Sequence, residues 1–200
     1  HKLLSENPRR YPDAAVAGIR HLLGVGADEP VPLERIGAVK MGTTVGTNAL
    51  LERRGEPTVL VTTRGFADAL RIGYQNRPRL FDLDIVLPEL LHRRVVEIDE
   101  RVDAQGNVLV PLDLDRARAQ LEAVRAEEFD AMAISFVHGY RHTKHEELVA
   151  QAAREIGFRQ VSVGHEVSPL MKLVARGDTT VVDAYLSPIL RRYVDQVATE

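Results

Sequence analysis

Four groups of residues in this 200-residue sequence have types and spacings that chemistry can use. The first is Met41-Gly42-Thr43-Thr44-Val45-Gly46-Thr47-Asn48, which its flanks place between a strand at 36–41 and a helix at 45–54. Gly42 permits close backbone approach. The hydroxyl of Thr43 or Thr44 can cap the helix and, with the free N–H groups of its first turn, makes an anion-friendly corner. That corner suits a phosphate or a carboxylate, or simply closes a strand–helix turn. The second group is Arg64, Arg71, Arg77 and Arg79, interleaved with Gln75 and Asn76. Guanidinium pairs bidentately with carboxylate, so a loop built this way could hold an anionic substrate. A solvated loop is the alternative, although long loops in compact domains are often functional.

The third group, Arg176-Gly177-Asp178-Thr179-Thr180, stands ahead of the last expected helix, 178–198. Asp178 or Thr179 can cap that helix, and Asp178 can also serve as an acid or base at its mouth. The fourth is His138, His142 and His145. Three imidazoles so close suggest a metal, yet they fall on a strand end, a loop and a first helical turn. The zinc signature of two His at i and i+4 on one helix with a Glu base is absent. They read as partly exposed, pH-sensitive imidazoles, and no metal ligand is assigned. The run Asp99-Glu100-Arg101 reads as a charged hairpin edge without chemistry.

The elements that must position these groups alternate. Helices are expected at 13–23 (opened by Pro12 and Asp13), 45–54 (ending on Arg53 and Arg54 and stopped by Gly55), 66–72, 114–127 and 178–198, the last interrupted or kinked near Pro188. Thr143-x-x-Glu146 reads as a capping box opening a further helix that Gly157 ends. Buried strands are expected at 58–62 and 131–137, and shorter ones at 36–41 and 160–163. The runs 94–102 and 107–110, joined by Asp103-Ala104-Gln105-Gly106, carry a hairpin signal. The class is α/β, with a mixed sheet and flanking helices. The irregular stretch 73–92 is a candidate boundary between two subdomains.

The chain has no cysteine, which excludes disulfides, thiolate metal sites and a cysteine nucleophile, and fits a cytoplasmic protein. Its 26 basic and 29 acidic residues nearly cancel, so no global basic excess draws nucleic acid. No apolar run approaches the roughly 20 residues of a membrane span. The opening residues do not form a signal peptide. Both ends read as lying within a longer polypeptide.

The block MGTTVGTNALLERRGEPTVLVTTRGFADALRIGYQNRPRLFDL (41–83) resembles the signature of the hydantoinase A / 5-oxoprolinase N-terminal domain. YPDAAVAGIRHLLG (11–24), DERVDAQGNVLVPLD (99–113), AISFVHGYRHTKHEE (133–147) and ARGDTTVVDAYLSPILRRYV (175–194) follow in the family's order. RGDTTVVDAYLSP is closer to bacterial N-methylhydantoinase A-type subunits. The resemblance implies part of an actin-like ATPase architecture. It also implies an ATP-dependent cyclic amidohydrolase that phosphorylates a lactam or hydantoin carbonyl before hydrolysis, with Mg2+ bridging the phosphates. A B-type subunit or domain would complete the ring opening. A ketone carboxylase subunit, or a module that mainly docks the B-type partner, are the alternatives. The phosphate-binding hairpin is expected before residue 1 and the rest of the ATPase after residue 200, so the chain alone is expected to be inactive. In this light Thr43 and Asp178 become candidate catalytic residues. Gly42, Thr44, Asn48, Arg77, Arg176 and Thr179 become candidates for contact with substrate or nucleotide.

Overall fold

The computed structural model describes residues 3, 7, 9–11, 13–40, 42–75, 79 and 81–199. In chain order the elements are α1 (Ala14–Leu23), a 3-10 turn (Leu33–Arg35), α2 (Val45–Leu51), β1 (Thr58–Thr63), α3 (Ala69–Ile72), β2 (His92–Ile98), β3 (Arg101–Val102), β4 (Val108–Val110), α4 (Leu114–Ala126), β5 (Ala131–Ser135), α5 (Lys144–Ile156), β6 (Gln160–Val163), α6 (Gly164–Val167) and α7 (Leu173–Thr199). Two compact units result: residues 1–48 with 189–200, and residues 49–188. The stretch 73–92 lies inside the second unit, so the division falls elsewhere than at that stretch.

The larger unit is built on β1, where five of six residues are β-branched and all six are buried. It pairs in parallel with β2 and β5, and β5 pairs in parallel with β6, giving the order β2-β1-β5-β6. Side chains alternate across this sheet, as the strand period of two dictates. Val59, Val61, Val96, Met132 and Ile134 pack with Leu121 of α4 and Val149 of α5. Leu60 and Ala133 pack on the opposite face with Leu70 of α3 and with Val181 and Ala184 of α7. The result is helix, sheet, helix in three layers, each fully buried Val or Leu contributing about 1.5–3 kcal/mol.

The mixed character of the sheet is divided between two structures. The main sheet is parallel throughout, and the antiparallel part is the separate hairpin β3–β4. The expected run 94–102 therefore breaks after Ile98: β2 stays in the main sheet and only Arg101–Val102 enters the hairpin. The hairpin's turn forms as its residues require. Asp103 accepts from the backbone N–H of Gln105 and Asn107 at 2.9 and 2.8 Å, and Gly106 takes φ 95°.

In the smaller unit Asp13 caps α1, accepting from the N–H of Ala15 and Val16 at 2.7 and 2.9 Å, and Gly24 ends it at φ 70°. Pro12 lies outside the described residues. Among the described residues the strand expected at 36–41 is not seen: residues 36–40 are irregular and mostly exposed and pair with no described strand, and Met41 lies outside the described residues. In the larger unit α2 stops at Leu51, short of Arg53 and Arg54. Arg53 takes the left-handed conformation (φ 57°), and the N–H of Arg54 closes back on the carbonyl of Ala49 at 2.9 Å. Gly55 has a different task from ending a helix. A Cβ there would sit 1.9 Å from the Tyr185 ring. α7 begins five residues earlier than expected and runs through Pro188.

Candidate functional site

The carboxyl ends of parallel strands leave loops free to build a site, and here those ends carry a group of polar contacts. After β1, the turn at Gly65–Ala67 wraps around one carboxylate. Glu97, on β2, accepts from the N–H of Gly65 at 2.7 Å and of Ala67 at 3.2 Å. Arg64 pairs with Asp99, which also binds Arg116 at 2.7 Å. Arg101 lies 4.9 Å over the Phe66 ring. Beside this turn opens a cavity of about 670 Å3, with apolar walls from Phe66, Ile72 and Val174 and charged groups from Asp68, Glu97 and Lys172.

The arginine group does not converge on this space as an anion cradle. Arg64 is held by Asp99, Arg71 donates to the carbonyl of Pro88 at 3.1 Å, and Arg79 sits 3.9 Å from Asp82. Each guanidinium has found a partner inside the protein. Arg77 lies outside the described residues.

Arg176 is not at a helix mouth but inside α7, with no exposed surface. It donates to the carbonyls of Phe136 and Leu170 at 2.5 and 2.6 Å and lies 5.7 Å from the Tyr140 ring. Burial lowers its pKa, opposed by the charges of Glu146 and Tyr140. Arg176 therefore faces the protein interior rather than a ligand. Thr179 is also inside the helix and donates to the carbonyl of Ala175 at 2.8 Å. Neither Asp178 nor Thr179 caps α7, because the helix starts at Leu173.

Two buried acids were not foreseen from the sequence. Glu146 does not close a capping box. It is fully buried and accepts from the N–H of Phe136 at 2.8 Å, while His165 Nδ1 lies 2.7 Å from its other oxygen. Thr143 bonds to Glu147 instead. Glu100, read as a surface charge, is buried beside His145, whose Nδ1 lies 2.7 Å away. A carboxylate only accepts, so that nitrogen carries the proton. Thr63 donates its hydroxyl to Glu100 and accepts from the N–H of Val137 at 3.0 Å, which joins the ends of β1 and β5. His145 is thus a buried partner rather than a partly exposed imidazole. His138 takes φ 61°, and His142 contacts the carbonyl of Ala104 at 3.3 Å. A buried Glu three positions from a Thr looks like a cap in sequence; only the fold distinguishes the two.

Asp178 lines a second cleft of about 500 Å3, shared with Leu51, Arg53, Glu89, His92 and Val182. Burial raises the Asp178 pKa and lowers that of His92, so both groups are pushed towards their neutral forms.

The Gly42–Asn48 segment belongs to the smaller unit and is described by itself. Thr43 Oγ1 accepts from the N–H of Val45 at 3.1 Å, and Thr44 Oγ1 accepts from the Asn48 amide at 3.4 Å. Both threonines are exposed and keep a hydroxyl proton to donate outwards. Space is open around Gly42. Among the described residues no three His, Asp or Glu side chains gather as a metal-holding group. No helix among them is long and apolar enough to cross a membrane.

A parallel three-layer α/β unit with its polar loops at the strand ends is shared with known proteins. The hydantoinase/oxoprolinase N-terminal region matches residues 1–157, and the chain belongs to that family. It is 40% identical to 5-oxoprolinase of Dictyostelium discoideum, over 96% of this chain and 18% of that protein. The crystal structure of ATP-dependent caprolactamase from Pseudomonas jessenii superposes with a TM-score of 0.78 at 30% identity, covering 96% of this chain and 29% of that one. Nucleotide-free acetone carboxylase shares the fold, with a TM-score of 0.64 at 21% identity over 78% of this chain and 24% of that one. The chain thus spans less than a fifth of the length of the 5-oxoprolinase it matches.

Proposed function

We propose that this chain is part of an ATP-dependent enzyme that opens cyclic amides. The likeness to 5-oxoprolinase and to ATP-dependent caprolactamase over 96% of the chain carries this reading. Amide carbons resist water. Transfer of the γ-phosphoryl group of ATP to the amide oxygen releases ADP and leaves a carbon that water can attack. Loss of phosphate and cleavage of the ring C–N bond then open the ring, the nitrogen taking up a proton.

In this scheme Thr43 and Thr44 donate their outward hydroxyl protons to an anionic group, with Gly42 and Asn48 shaping the corner. Asp178, whose pKa burial raises, gives or receives a proton. Arg77 and Thr179 remain candidates for contact with substrate or nucleotide. A B-type subunit or domain completes hydrolysis, Mg2+ accompanies ATP, and the complex works in the cytoplasm. The 200-residue chain by itself does not turn over ATP.

The test is a panel of cyclic amides on the full-length protein with its partner, following ADP release and ring opening. Ring opening with stoichiometric ADP supports the reading. Consumption of bicarbonate with a ketone instead identifies a carboxylase, and ADP release with neither overturns both.

A further inference from the structure

Resting on the cyclic-amide reading, we infer that the cavity beside the Gly65–Ala67 turn receives the ring, and that it selects rings without a negative charge. The argument begins with the turn itself. Backbone N–H groups clustered at a strand end are ready acceptor-binding sites for phosphate or carboxylate. Here those of Gly65 and Ala67 are already taken by the Glu97 carboxylate, at 2.7 and 3.2 Å. The place an anion would occupy is filled by an anion of the protein's own.

Three cations among the described residues nearby are similarly engaged. Arg64 is paired with Asp99, Arg71 with the Pro88 carbonyl, and Arg101 lies over the Phe66 ring. Among the charged residues that line the cavity, Lys172 faces two carboxylates, Asp68 and Glu97. Among the described residues the lining has a formal charge of −1, and a ring bearing a carboxylate adds a like charge to it. The Asp68 side chain makes no cap bond to α3 and remains available.

A neutral ring meets complementary groups instead. Its methylene edge lies against Phe66, Ile72 and Val174. Its carbonyl accepts from Lys172, and its amide N–H donates to Asp68. The volume of about 670 Å3 lies within the ordinary range for small-molecule sites. The ligand class is a neutral lactam or hydantoin, and 5-oxoproline, with its carboxylate, is disfavoured.

The test compares 5-oxoproline with its neutral carboxamide, 5-oxoprolinamide, which keeps the ring and nearly the same size. Dissociation constants are measured on the full-length protein by ligand-detected NMR without ATP. The neutral amide is expected to bind roughly tenfold more tightly. Asp68→Lys, a change at an exposed side chain, reverses that preference, and Lys172→Gln weakens both ligands. Tighter binding of 5-oxoproline by the unaltered protein, or a preference that Asp68→Lys leaves unmoved, overturns the inference. If the preference and its reversal are found but neither ring stimulates ADP release, the pocket stands and the enzymatic reading falls.

Discussion

The guanidinium of Arg176 donates to the carbonyl of Phe136, 2.5 Å away and forty positions earlier in the chain. The bond joins the middle layer of the larger unit to α7 just beyond the last residue of β5. A second bond from the same group holds the carbonyl of Leu170, so one side chain fixes both the strand end and the segment leading into its own helix. Gly164 leaves room for this: a Cβ there would lie 3.2 Å from the Arg176 side chain.

Replacing Arg176 leaves the Phe136 carbonyl with only the Gly139 N–H as donor, takes the guanidinium from the Leu170 carbonyl, and removes a favourable charge near Glu146. Arg176→Met is expected to lower unfolding free energy by about 3 kcal/mol, and Arg176→Lys by less, because an ammonium can still reach one carbonyl. Urea unfolding of the purified protein measures both. A Met variant as stable as the parent would show that the bonds contribute nothing net.

Glu100 and His145 form the second interior link. Glu100→Ala and His145→Ala each remove the pair, and the double variant should cost less than the sum of the two. A coupling of about 1–3 kcal/mol is expected from a double-mutant cycle. Simple additivity would mean that the 2.7 Å contact carries no coupling.

The three-layer frame was legible because its signals are local. Val59, Val61, Met132 and Ile134 sit in short apolar runs, and the helices around them carry local signals of their own, as Gly157 at the end of α5 shows. The site was less legible because its key contacts are long-range. Nothing adjacent to Glu100 in sequence signals that Thr63 and His145 will enclose it. Glu146 satisfies a capping pattern that Phe136 and His165 override. Arg176 and Asp178 were expected at a helix start because Asp178 and Thr179 are good caps, and Gly177 lies between Arg176 and Asp178. In the fold that glycine is needed inside the helix, where a Cβ would lie 2.8 Å from Leu70. The strand expected at 36–41 had a suitable sequence but no partner strand among the described residues, and a strand requires one.

Gly55 gives a direct test of close packing. A methyl group there overlaps the Tyr185 ring, with 1.9 Å between the added Cβ and a ring carbon. The ring, only 6% exposed, has little room to withdraw. Gly55→Ala should cost about 1–3 kcal/mol. Adding Tyr185→Leu should recover part of that loss by removing the ring. A thermal melt of the single and double variants decides it; equal melting temperatures for Gly55→Ala and the parent would refute the overlap.

Thr43 offers a kinetic prediction. If its hydroxyl only caps α2, Thr43→Ala costs about 1 kcal/mol of stability and leaves turnover per folded molecule unchanged. If the hydroxyl also donates to a reacting or bound anion, turnover of the full-length enzyme falls roughly ten- to hundred-fold. Thr43→Ser restores it, and the A–B complex stays intact on gel filtration. Dissociation of the complex instead identifies this corner as an interface.

The cleft shared by Asp178 and His92 makes stability depend on pH in two opposite ways. Burial raises the Asp178 pKa above its ordinary value of 3.8. The folded state therefore holds that proton more tightly than the unfolded chain does. The stability so gained is complete below 3.8 and is lost as pH rises through the folded pKa. Asp178→Asn, which stays neutral, should be more stable than the parent at pH 7, the difference shrinking to nothing in acid. Burial lowers the His92 pKa below its ordinary value of 6.5. Its contribution is complete above 6.5 and is lost as pH falls through the folded pKa, because protonation then favours the unfolded chain. His92→Gln should flatten that loss on the acid side of 6.5 without altering stability's slope near pH 8. Unfolding free energies of the two variants and the parent, measured from pH 3 to pH 8, separate the effects. An Asp178→Asn variant less stable than the parent at pH 7 would mean that the carboxylate has a stabilising partner in the folded protein.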